Sequence, residues 1–390
     1  MGRVLNGFSE RLARAGLARE EDILFLALDD AVLASDPDHP DQEVLEQALL
    51  ALQPGALACL RPAEPYATIL AFFLEQRPQV LAPRDSETRL FLHDLPVASE
   101  FSAQALVQGL KNRKGMVLPG PRLAALGPLT PEQAFVTLSS LCFAVFVLFF
   151  SDYLEDLRAG RATPEQRAAF ARAASFLPPV RTDRPGLAQG PFTSPAQVCA
   201  AMAQAGRATV DFSLVDSAFG NVSALLDQTI WISQTGSSLD LLEGDLVACA
   251  LDGSSCEALT ASSELPAHAG IYAAAPATRC ILHGHPKFAV TLSLDCDRPD
   301  CPDRGQCHLR CPAKRTAGGA IIVPGETGSG ACGICHTLPP ALRGGNAAIV
   351  LGHGLFATGR RDFNEAFAAL LDTENACREE YFQRVRDLGG

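Results

Sequence analysis

Two histidines separated by one residue, His283 and His285, constrain the fold of this chain more than any other feature of its sequence. Side chains at positions i and i+2 of an extended segment project to the same side, so both imidazoles can hold one metal ion if a third ligand folds back. A single His-x-His pair is more often two polar residues at the end of a strand. Here a later glycine-flanked histidine, His353, supplies the third ligand. The pattern therefore predicts a metal site on His283, His285 and His353, and a fold that joins two distant segments.

A carboxylate precedes these histidines. Glu264 lies at the start of a helix-like run, Glu264-Leu-Pro-Ala-His-Ala-Gly-Ile-Tyr272. A carboxylate that faces a metal held by three histidines is well placed to act as a general base. We predict this role for Glu264, and the role requires a pKa moved towards neutrality by burial and tuned by the metal. His268, four residues further on, lies either behind the metal ligands or on the surface of the helix.

Small polar residues on either side of these motifs are suited to bind a phosphate group. They offer hydroxyl groups, one amide and a close backbone approach, which suit a dianion better than a loop of charged side chains does. Each of them alone is an ordinary turn residue, and only their order and shared context favour a site. The predicted phosphate-binding residues are Asn221, Ser223, Thr235, Gly236, Ser262 and Ser263.

Six blocks of this half of the chain resemble, in their order, the class II aldolase and adducin family. The blocks are FGNVS at 219–223, ISQTG at 232–236, LLEGDL at 241–246, SSE at 262–264, HGHP at 283–286 and GHG at 352–354. The resemblance extends from about residue 194 to about residue 381. It implies an α/β fold of three layers, α/β/α, with a mainly antiparallel sheet.

The resemblance also implies a chemistry. Catalytic members of the family hold zinc on three histidines, and positions equivalent to the polar residues above hold the substrate phosphate. The cofactor implied for this chain is Zn2+ or another divalent cation, with Glu264 carrying the proton. In the family a tyrosine from a neighbouring subunit often protonates the aldehyde oxygen, and the match of Tyr381 to that residue stays open. Symmetric tetramers with active sites between subunits are typical of such aldolases, so a homo-oligomer is expected.

These features together predict a zinc-dependent aldehyde-lyase. It would cleave or form a C–C bond in a small sugar phosphate through a metal-stabilised enediolate. Two alternatives stay open: a pentose-phosphate 4-epimerase or sugar dehydratase that uses the same site, and a non-catalytic adducin-like assembly module. The intact histidines and Glu264 argue against the assembly module, and the sequence does not select one sugar phosphate.

Length and charge exclude some classes of protein. A chain of 390 residues exceeds what one hydrophobic core usually supports, so two domains are expected. The formal charge is −12, and no basic stripe is present, which argues against a nucleic-acid partner. The charged opening, residues 1–28, is unlike a secretory signal, so the 13 cysteines are expected to be reduced in a cytoplasmic protein.

The first half of the chain repeats the spacing of the second. Residues 43–65 match 264–286 in length, and 115–127 parallels 347–359. We therefore predict two copies of the fold, although convergent spacing is the alternative. The first copy is predicted to be degenerate, because this spacing replaces the metal ligands by Pro62, Glu64 and Pro121 and keeps only Glu43. The predicted boundaries are 1–157 for the degenerate copy, 158–190 for a linker and 191–390 for the metal-binding copy.

The last helix of the first copy, residues 134–150, is almost wholly apolar. It resembles a membrane span, but it is short for one and it contains Thr137, Ser139 and Ser140. We expect no membrane partner, and we predict a helix buried between subunits or between the two copies.

A cysteine-rich insert separates His285 from His353. Cys296, Cys301, Cys307 and Cys311 lie in a stretch with several prolines and almost no aliphatic side chains. Such a stretch cannot offset the entropy of ordering its backbone by burial, so another interaction must order it. A structural zinc, an iron-sulfur cluster and unliganded or redox-active thiols are the alternatives, and Cys332-Gly-Ile-Cys335-His336 follows.

Overall fold

The structure is a computed structural model that describes residues 2–215, 219–252, 254, 260–298 and 300–390. The chain divides into two compact units, Met1–Pro179 and Val180–Gly389. Each unit holds its own sheet and its own hydrophobic core.

Residues Met1–Pro179, the first unit, alternate helices with mostly antiparallel strands. The elements are α1 (Gly2–Arg14), β1 (Ala18–Leu28), β2 (Val32–Ala34), α2 (Gln42–Leu52), β3 (Ala56–Pro62), α3 (Tyr66–Glu75), β4 (Val80–Leu81), α4 (Ser86–Leu92), β5 (Leu95–Pro96), α5 (Ala103–Leu110), β6 (Gly115–Leu118), β7 (Arg122–Gly127), α6 (Pro131–Arg158) and α7 (Pro164–Ser175).

Five of these strands form one sheet in the order β2-β1-β3-β7-β6, and every neighbouring pair is antiparallel. Helices α2 and α5 cover one face, where their leucines pack with those of β1 and β3. Helices α1, α3 and α6 cover the other face. Strands β4 and β5 pair separately.

Helix α6 is the apolar helix of the sequence. Among the described residues it alone is long and apolar enough to cross a membrane, yet 94% of its most apolar window is buried. Its neighbours in the first unit include α1, α3, α4, α7, β3 and β7. The predicted burial is therefore found, and elements of the helix's own unit contribute to it.

The predicted linker, 158–190, is helical in its first part. Helix α7 lies against α3, and the ring of its Phe170 stacks on Tyr153 of α6 with centroids 4.0 Å apart. This packing assigns α7 to the first unit, whose end lies at Pro179.

Residues Val180–Gly389, the second unit, hold the predicted site. The elements are α8 (Pro195–Asp211), β8 (Asn221–Leu226), β9 (Thr229–Ser233), β10 (Leu246–Ala250), α9 (Leu265–Ala274), β11 (Cys280–Gly284), α10 (Lys287–Leu294), β12 (Arg315–Ala317), β13 (Ala320–Val323), α11 (Ile334–Ala341), β14 (Ala347–Val350), β15 (Gly354–Gly359) and α12 (Phe363–Asp387).

The second sheet has eight described strands in the order β10-β9-β8-β11-β15-β14-β13-β12. All neighbouring pairs are antiparallel except β13 and β14. Helices α9 and α11 pack on one face, and α8, α10 and α12 pack around β8, β11, β14 and β15 on the other. This arrangement confirms the predicted three-layer α/β/α fold with a mainly antiparallel sheet.

Helix α10 begins directly after His285-Pro286, and a side chain from α12 fixes its first turn. The carboxylate of Glu374 accepts hydrogen bonds from the amides of Phe288, at 2.9 Å, and Ala289, at 2.8 Å. A carboxylate at a helix N-terminus satisfies free amide groups and complements the helix dipole. Glu374 thereby holds the chain that follows His285.

Burial raises the pKa of Glu374 from 4.5 to about 7, although the two amides, Lys287 and Arg378 lower it. The folded protein then binds more protons than the unfolded chain between these pH values, so the free energy of unfolding falls as pH rises from about 4.5 to about 7. Because this carboxylate is only half-buried, solvent screening limits the effect to about 1–2 kcal/mol.

We predict that Glu374→Gln removes this part of the pH dependence, because an amide does not titrate. Urea unfolding followed by the fluorescence of Trp231, the single tryptophan, measures the effect in the second unit between pH 4.5 and 8. Glu379→Gln, at an exposed position of the same helix, should keep the wild-type slope. An unchanged slope in Glu374→Gln would contradict the assignment.

Candidate metal centre

The three predicted histidines converge at one end of the second sheet. His283 is the fourth residue of β11, His285 follows the end of that strand, and His353 lies in the turn between β14 and β15. The Nε2 atom of His283 lies 3.1 Å from Nε2 of His285 and 3.2 Å from Nε2 of His353. All three side chains are buried. The antiparallel pairing of β11 with β15 is what joins the two segments.

This geometry fits a metal ion. The ligand atoms of the three histidines all lie within 4.8 Å of one another. Zinc bound tetrahedrally, with Zn–N distances of about 2.0–2.1 Å, separates its ligand nitrogens by about 3.3 Å, close to the two separations observed. No other group of three or more His, Cys, Asp or Glu side chains gathers in this way within the described part of the chain.

The backbone fixes the orientation of His283. Its Nδ1 lies 3.2 Å from the carbonyl oxygen of Leu355, so Nδ1–H donates to this carbonyl and the lone pair of Nε2 faces the other histidines. The ring stacks on Phe356, with centroids 3.9 Å apart. The ring of His283 is therefore fixed with its Nε2 atom directed at the other two histidines.

Glu264 closes the centre from the side of α9, at whose N-terminus it lies. Its Oε1 is 2.9 Å from Nε2 of His353, and its Oε2 is 3.3 Å from Nε2 of His283. The carboxylate thus lies where a fourth ligand or a base beside the metal would lie. The amide of Asn221 donates to its Oε2 at 2.6 Å.

Burial and neighbouring groups act in opposite directions on the charge state of Glu264. Burial alone would raise the pKa of this carboxyl group, but His283, His353 and the bond from Asn221 lower it below its usual range. Glu264 is therefore ionised, the form in which a carboxylate can accept a proton. These neighbours act against the shift towards neutrality that burial alone would give.

The side chain of Asn221 also has a buried acceptor that the sequence did not indicate. Its Oδ1 atom is buried and has no hydrogen-bond partner among the described residues. Because leaving a buried acceptor unpaired costs about 1–3 kcal/mol, this oxygen is a ready partner for a donor in a bound ligand or a water molecule.

A hydrogen-bonded chain of three side chains lies next to Glu264. The hydroxyl of Ser223 is 2.7 Å from Nδ1 of His268 and 2.8 Å from the hydroxyl of Tyr272. All three residues are buried, and burial lowers the pKa of His268 to about 3. His268 is therefore a neutral residue of the interior and not of the helix surface. His268 and Tyr272 are four residues apart and therefore lie on one face of α9, and this spacing could have indicated the hydrogen-bonded chain from the sequence.

The predicted phosphate-binding residues separate into two groups. Thr235, Gly236, Ser262 and Ser263 lie on two loops that meet, because the Thr235 hydroxyl donates to the carbonyl of Ala261 at 2.9 Å and a bridge joins residues 234 and 261. Thr235, Gly236 and Ser263 are exposed there. Asn221 and Ser223 are buried elsewhere, on β8.

The structure therefore does not support the prediction that Ser223 and Asn221 bind the substrate phosphate. The hydroxyl of Ser223 is enclosed and engaged by two partners. The amide nitrogen of Asn221 is directed at Glu264. Both side chains support the interior of the site, and a phosphate does not reach the Ser223 hydroxyl.

The cysteine-rich insert and Tyr381 lie outside this centre. Cys296, Cys301, Cys307 and Cys311 are half-buried and free, and the structure does not bring three of them together. Tyr381 is fully buried and packs against Phe288 with ring centroids 5.4 Å apart. A side chain in this core cannot reach a substrate, so the open match to a general acid is not supported.

Gly354 permits the close approach of the histidine side chains. A Cβ atom at this position would lie 2.5 Å from the carbonyl oxygen of Gly284, 2.6 Å from the ring of His285 and 2.7 Å from that of His283. Real Cβ atoms do not tolerate such contacts, so any other residue must displace one of the ligands.

We predict that Gly354→Ala weakens zinc binding by roughly 10- to 100-fold, because it moves His283 or His285 out of line. Competition with a chromophoric chelator measures the affinity. Gly345→Ala is the matched control, because nothing lies within 4 Å of the added methyl group, and it should leave the affinity unchanged. Equal affinities for the two variants would show that Gly354 has no such role.

Comparison with known proteins agrees with this description of the second unit. Residues 200–381 match the model of the class II aldolase and adducin N-terminal domain. No curated protein matches the chain in a sequence comparison.

Several solved structures are similar to about half of the chain. The l-fuculose-1-phosphate aldolase from Thermus thermophilus is 26% identical, with a TM-score of 0.40, over 50% of this chain and 98% of that protein. YgbL from Klebsiella pneumoniae is 24% identical, with a TM-score of 0.39, over 50% of this chain and 98% of that protein. The sugar-phosphate aldolase from Thermotoga maritima is 18% identical, with a TM-score of 0.36, over 48% of this chain and 94% of that protein.

The matched segment, the three-layer fold and the three histidines beside a carboxylate agree with one another. The second unit is therefore similar, over residues 200–381, to the class II aldolase and adducin family.

Proposed function

We propose that the second unit is a zinc-dependent aldehyde-lyase that cleaves or forms a C–C bond in a small sugar phosphate. The observation that carries the proposal is the convergence of three buried histidine nitrogens on one point beside the ionised carboxylate of Glu264. Burying four ionisable groups so close together is unfavourable without a bound cation, so a fold does not keep them for packing alone.

The three imidazoles would hold the cation, and three nitrogen ligands leave an open coordination position of the catalytic kind. The chemistry that a bound divalent cation supplies is stabilisation of negative charge on the substrate oxygens. Leu355 orients His283 for this task through its carbonyl oxygen. Phe356 limits the movement of the same ring.

Glu264 moves the proton. Its ionised carboxylate accepts a proton from the substrate carbon or hydroxyl group and returns it after the bond has changed. Asn221 holds one carboxylate oxygen at 2.6 Å, which fixes the direction from which the proton is taken. The unpartnered Oδ1 of Asn221 would accept a hydrogen bond from a substrate hydroxyl group.

The substrate phosphate is assigned to the two loops that meet before α9. Thr235, Gly236 and Ser263 are exposed there, and nothing lies within 4 Å of the position that a Cβ atom on Gly236 would take. An exposed serine hydroxyl group beside the N-terminus of a helix can donate to an anion, which the helix dipole also favours. Ser223 is left out of this assignment because its hydroxyl group is enclosed.

Assays of aldol cleavage over a set of ketose phosphates test the proposal. The protein is dialysed against a chelator and then reloaded with zinc, and activity should be lost and then restored. If the reloaded protein inverts the configuration at one carbon of the substrate and releases no cleavage product, it is an epimerase. Protein that binds no divalent metal would exclude both enzymes and leave an adducin-like assembly module.

We predict that Glu264→Gln keeps the metal but slows proton exchange by roughly 10²- to 10⁴-fold, because a carboxamide cannot accept the proton. Metal content and exchange of a substrate proton with solvent are measured on the same sample. His353→Ala should instead lose the metal. Full proton exchange in Glu264→Gln would exclude this residue as the base.

We predict that Ser263→Ala raises KM roughly 10- to 100-fold for a phosphorylated substrate, since one hydrogen bond to a charged group is worth about 1.5–3 kcal/mol. Turnover at saturation should change little. Ser223→Ala is the comparison variant, and it should lower thermal stability without a specific effect on KM. A KM effect confined to Ser223→Ala would reverse the assignment of the two serines.

A further inference from the structure

The two sheets of the chain share one topology. The five strands of the first sheet follow the order β2-β1-β3-β7-β6, and five strands of the second follow β9-β8-β11-β15-β14, with antiparallel pairing throughout. The helices agree as well, because α2 and α5 cover one face as α9 and α11 do. Helices α1, α3 and α6 correspond in the same way to α8, α10 and α12.

A pair of glycines sets the register between the two units. A Cβ atom on Gly127 would lie 2.0 Å from the carbonyl oxygen of Thr130, and one on Gly359 would lie 2.2 Å from that of Asp362. Thr130 and Asp362 are the N-caps of α6 and α12. Each glycine therefore ends the equivalent strand with the same close approach to the helix that follows.

This register identifies the counterparts of the metal ligands. Gly127 pairs with Ala56 as Gly359 pairs with Cys280, so Cys59 corresponds to His283 and Arg61 to His285. The turns before β7 and β15, with Gly120 and Gly352 both at positive φ, place Pro121 opposite His353. Pro62 and Glu64, which the sequence spacing predicted for the first two positions, lie three residues too far along the chain.

The counterpart of Glu264 is Asp41, since each is the N-cap of the helix that precedes the central strand. The capping interactions agree too. The amide of Asp41 donates to Nδ1 of His39 at 3.1 Å, and the amide of Glu264 donates to the hydroxyl of Ser262 at 3.3 Å. Glu43, which the sequence spacing predicted for this position, lies within the first turn of α2 and not at its N-cap.

Arginines replace the histidines around this carboxylate. Arg61 donates through one nitrogen to both oxygens of Asp41 at 2.9 Å, and Arg122 donates to them at 3.1 and 3.4 Å. Asp41 is buried, and the side chain of Arg122 is 16% exposed. Two guanidinium groups thus satisfy the carboxylate at the position where the second unit gathers its histidines.

A residue difference at one position explains why a unit holds either the histidine cluster or the arginine pair but not both. Arg122 pairs with Leu118 as Gly354 pairs with Val350, so the arginine stands where the second unit requires glycine. The second unit needs that glycine because its histidine rings fill the space that a side chain would take. Without those rings, the first unit has room for Arg122.

The residues behind the carboxylate also differ between the two units. Strand register and helix position make Leu24, Leu26, Leu45 and Leu49 the counterparts of Asn221, Ser223, His268 and Tyr272. All four leucines belong to one buried apolar cluster, which also contains Cys59. A polar chain in the second unit is therefore an ordinary hydrophobic core in the first.

We infer that residues 1–179 are a second copy of the fold in which the guanidinium groups of Arg61 and Arg122 take the place of the metal ion beside Asp41. Arginine is always protonated, so this site carries its own permanent cations and needs no metal. The chain then holds one metal centre of this kind and one metal-free counterpart.

Hydrogen exchange and metal analysis of the full chain test this inference. Removal of the metal with EDTA should speed amide exchange in segments 280–286 and 350–356 and leave 56–62 and 115–127 unchanged. Asp41→Ala should speed exchange in 56–62 and 115–127 by roughly tenfold or more, because it leaves two guanidinium groups without their partner, and should leave the metal content unchanged. Asp38→Ala, at an exposed position nearby, should have neither effect.

A second variant keeps the test decisive if Asp41→Ala folds poorly. The combined change Asp41→Leu, Arg61→Met and Arg122→Met removes all three charges together and should restore most of the protection, since a buried ion cluster can be replaced by apolar side chains of similar volume. Loss of bound metal in Asp41→Ala, or faster exchange of 56–62 on addition of EDTA, would overturn the inference. A combined variant no better protected than Asp41→Ala would overturn it as well.

Discussion

The close meeting of β11 and β15 is the constraint on which the second unit depends. Three imidazoles can share one point only if the strands that carry them approach without side chains between them. Gly284 and Gly354, which pair with Leu355 and Val350, leave this space. The antiparallel register then fixes His283 against Leu355 and Phe356, so that the same pairing builds the sheet and orients one histidine of the cluster.

Much of the second unit could be predicted because its determinants are local in the sequence. The His-x-His pair, the carboxylate at a helix start and the glycine-flanked His353 each define a backbone setting, and antiparallel strands bring these settings together. The charge state of Glu264 could not be predicted, because burial raises the pKa of its carboxyl group while the neighbouring His283, His353 and Asn221 lower it. The enclosure of Ser223 could not be predicted either, since it depends on which face of β8 meets α9.

In the first unit too, the sequence could predict the fold class but not the register of the strands. Its sequence spacing indicated a related fold, but in the correspondence that we infer from strand pairing a shift of three residues at β3 separates two positions from those the spacing predicted. Only strand pairing gives the register, because helices and turns between strands absorb small changes in length. The apolar helix α6 likewise resembles a boundary element by composition, whereas its own neighbours enclose it.

The chain formed by Tyr272, Ser223 and His268 has a direction. If the tyrosine donates to the serine and the serine to Nδ1 of the histidine, only the N–H at Nε2 is left without an acceptor among the described residues, whereas the reverse direction leaves two groups unpaired. His268 is thus the opposite tautomer to His283, and with a pKa of about 3 it is uncharged near neutral pH. The three side chains behind Glu264 therefore present no charge to its carboxylate, and the charged or metal-binding partners available to Glu264 lie on the side of the histidine cluster.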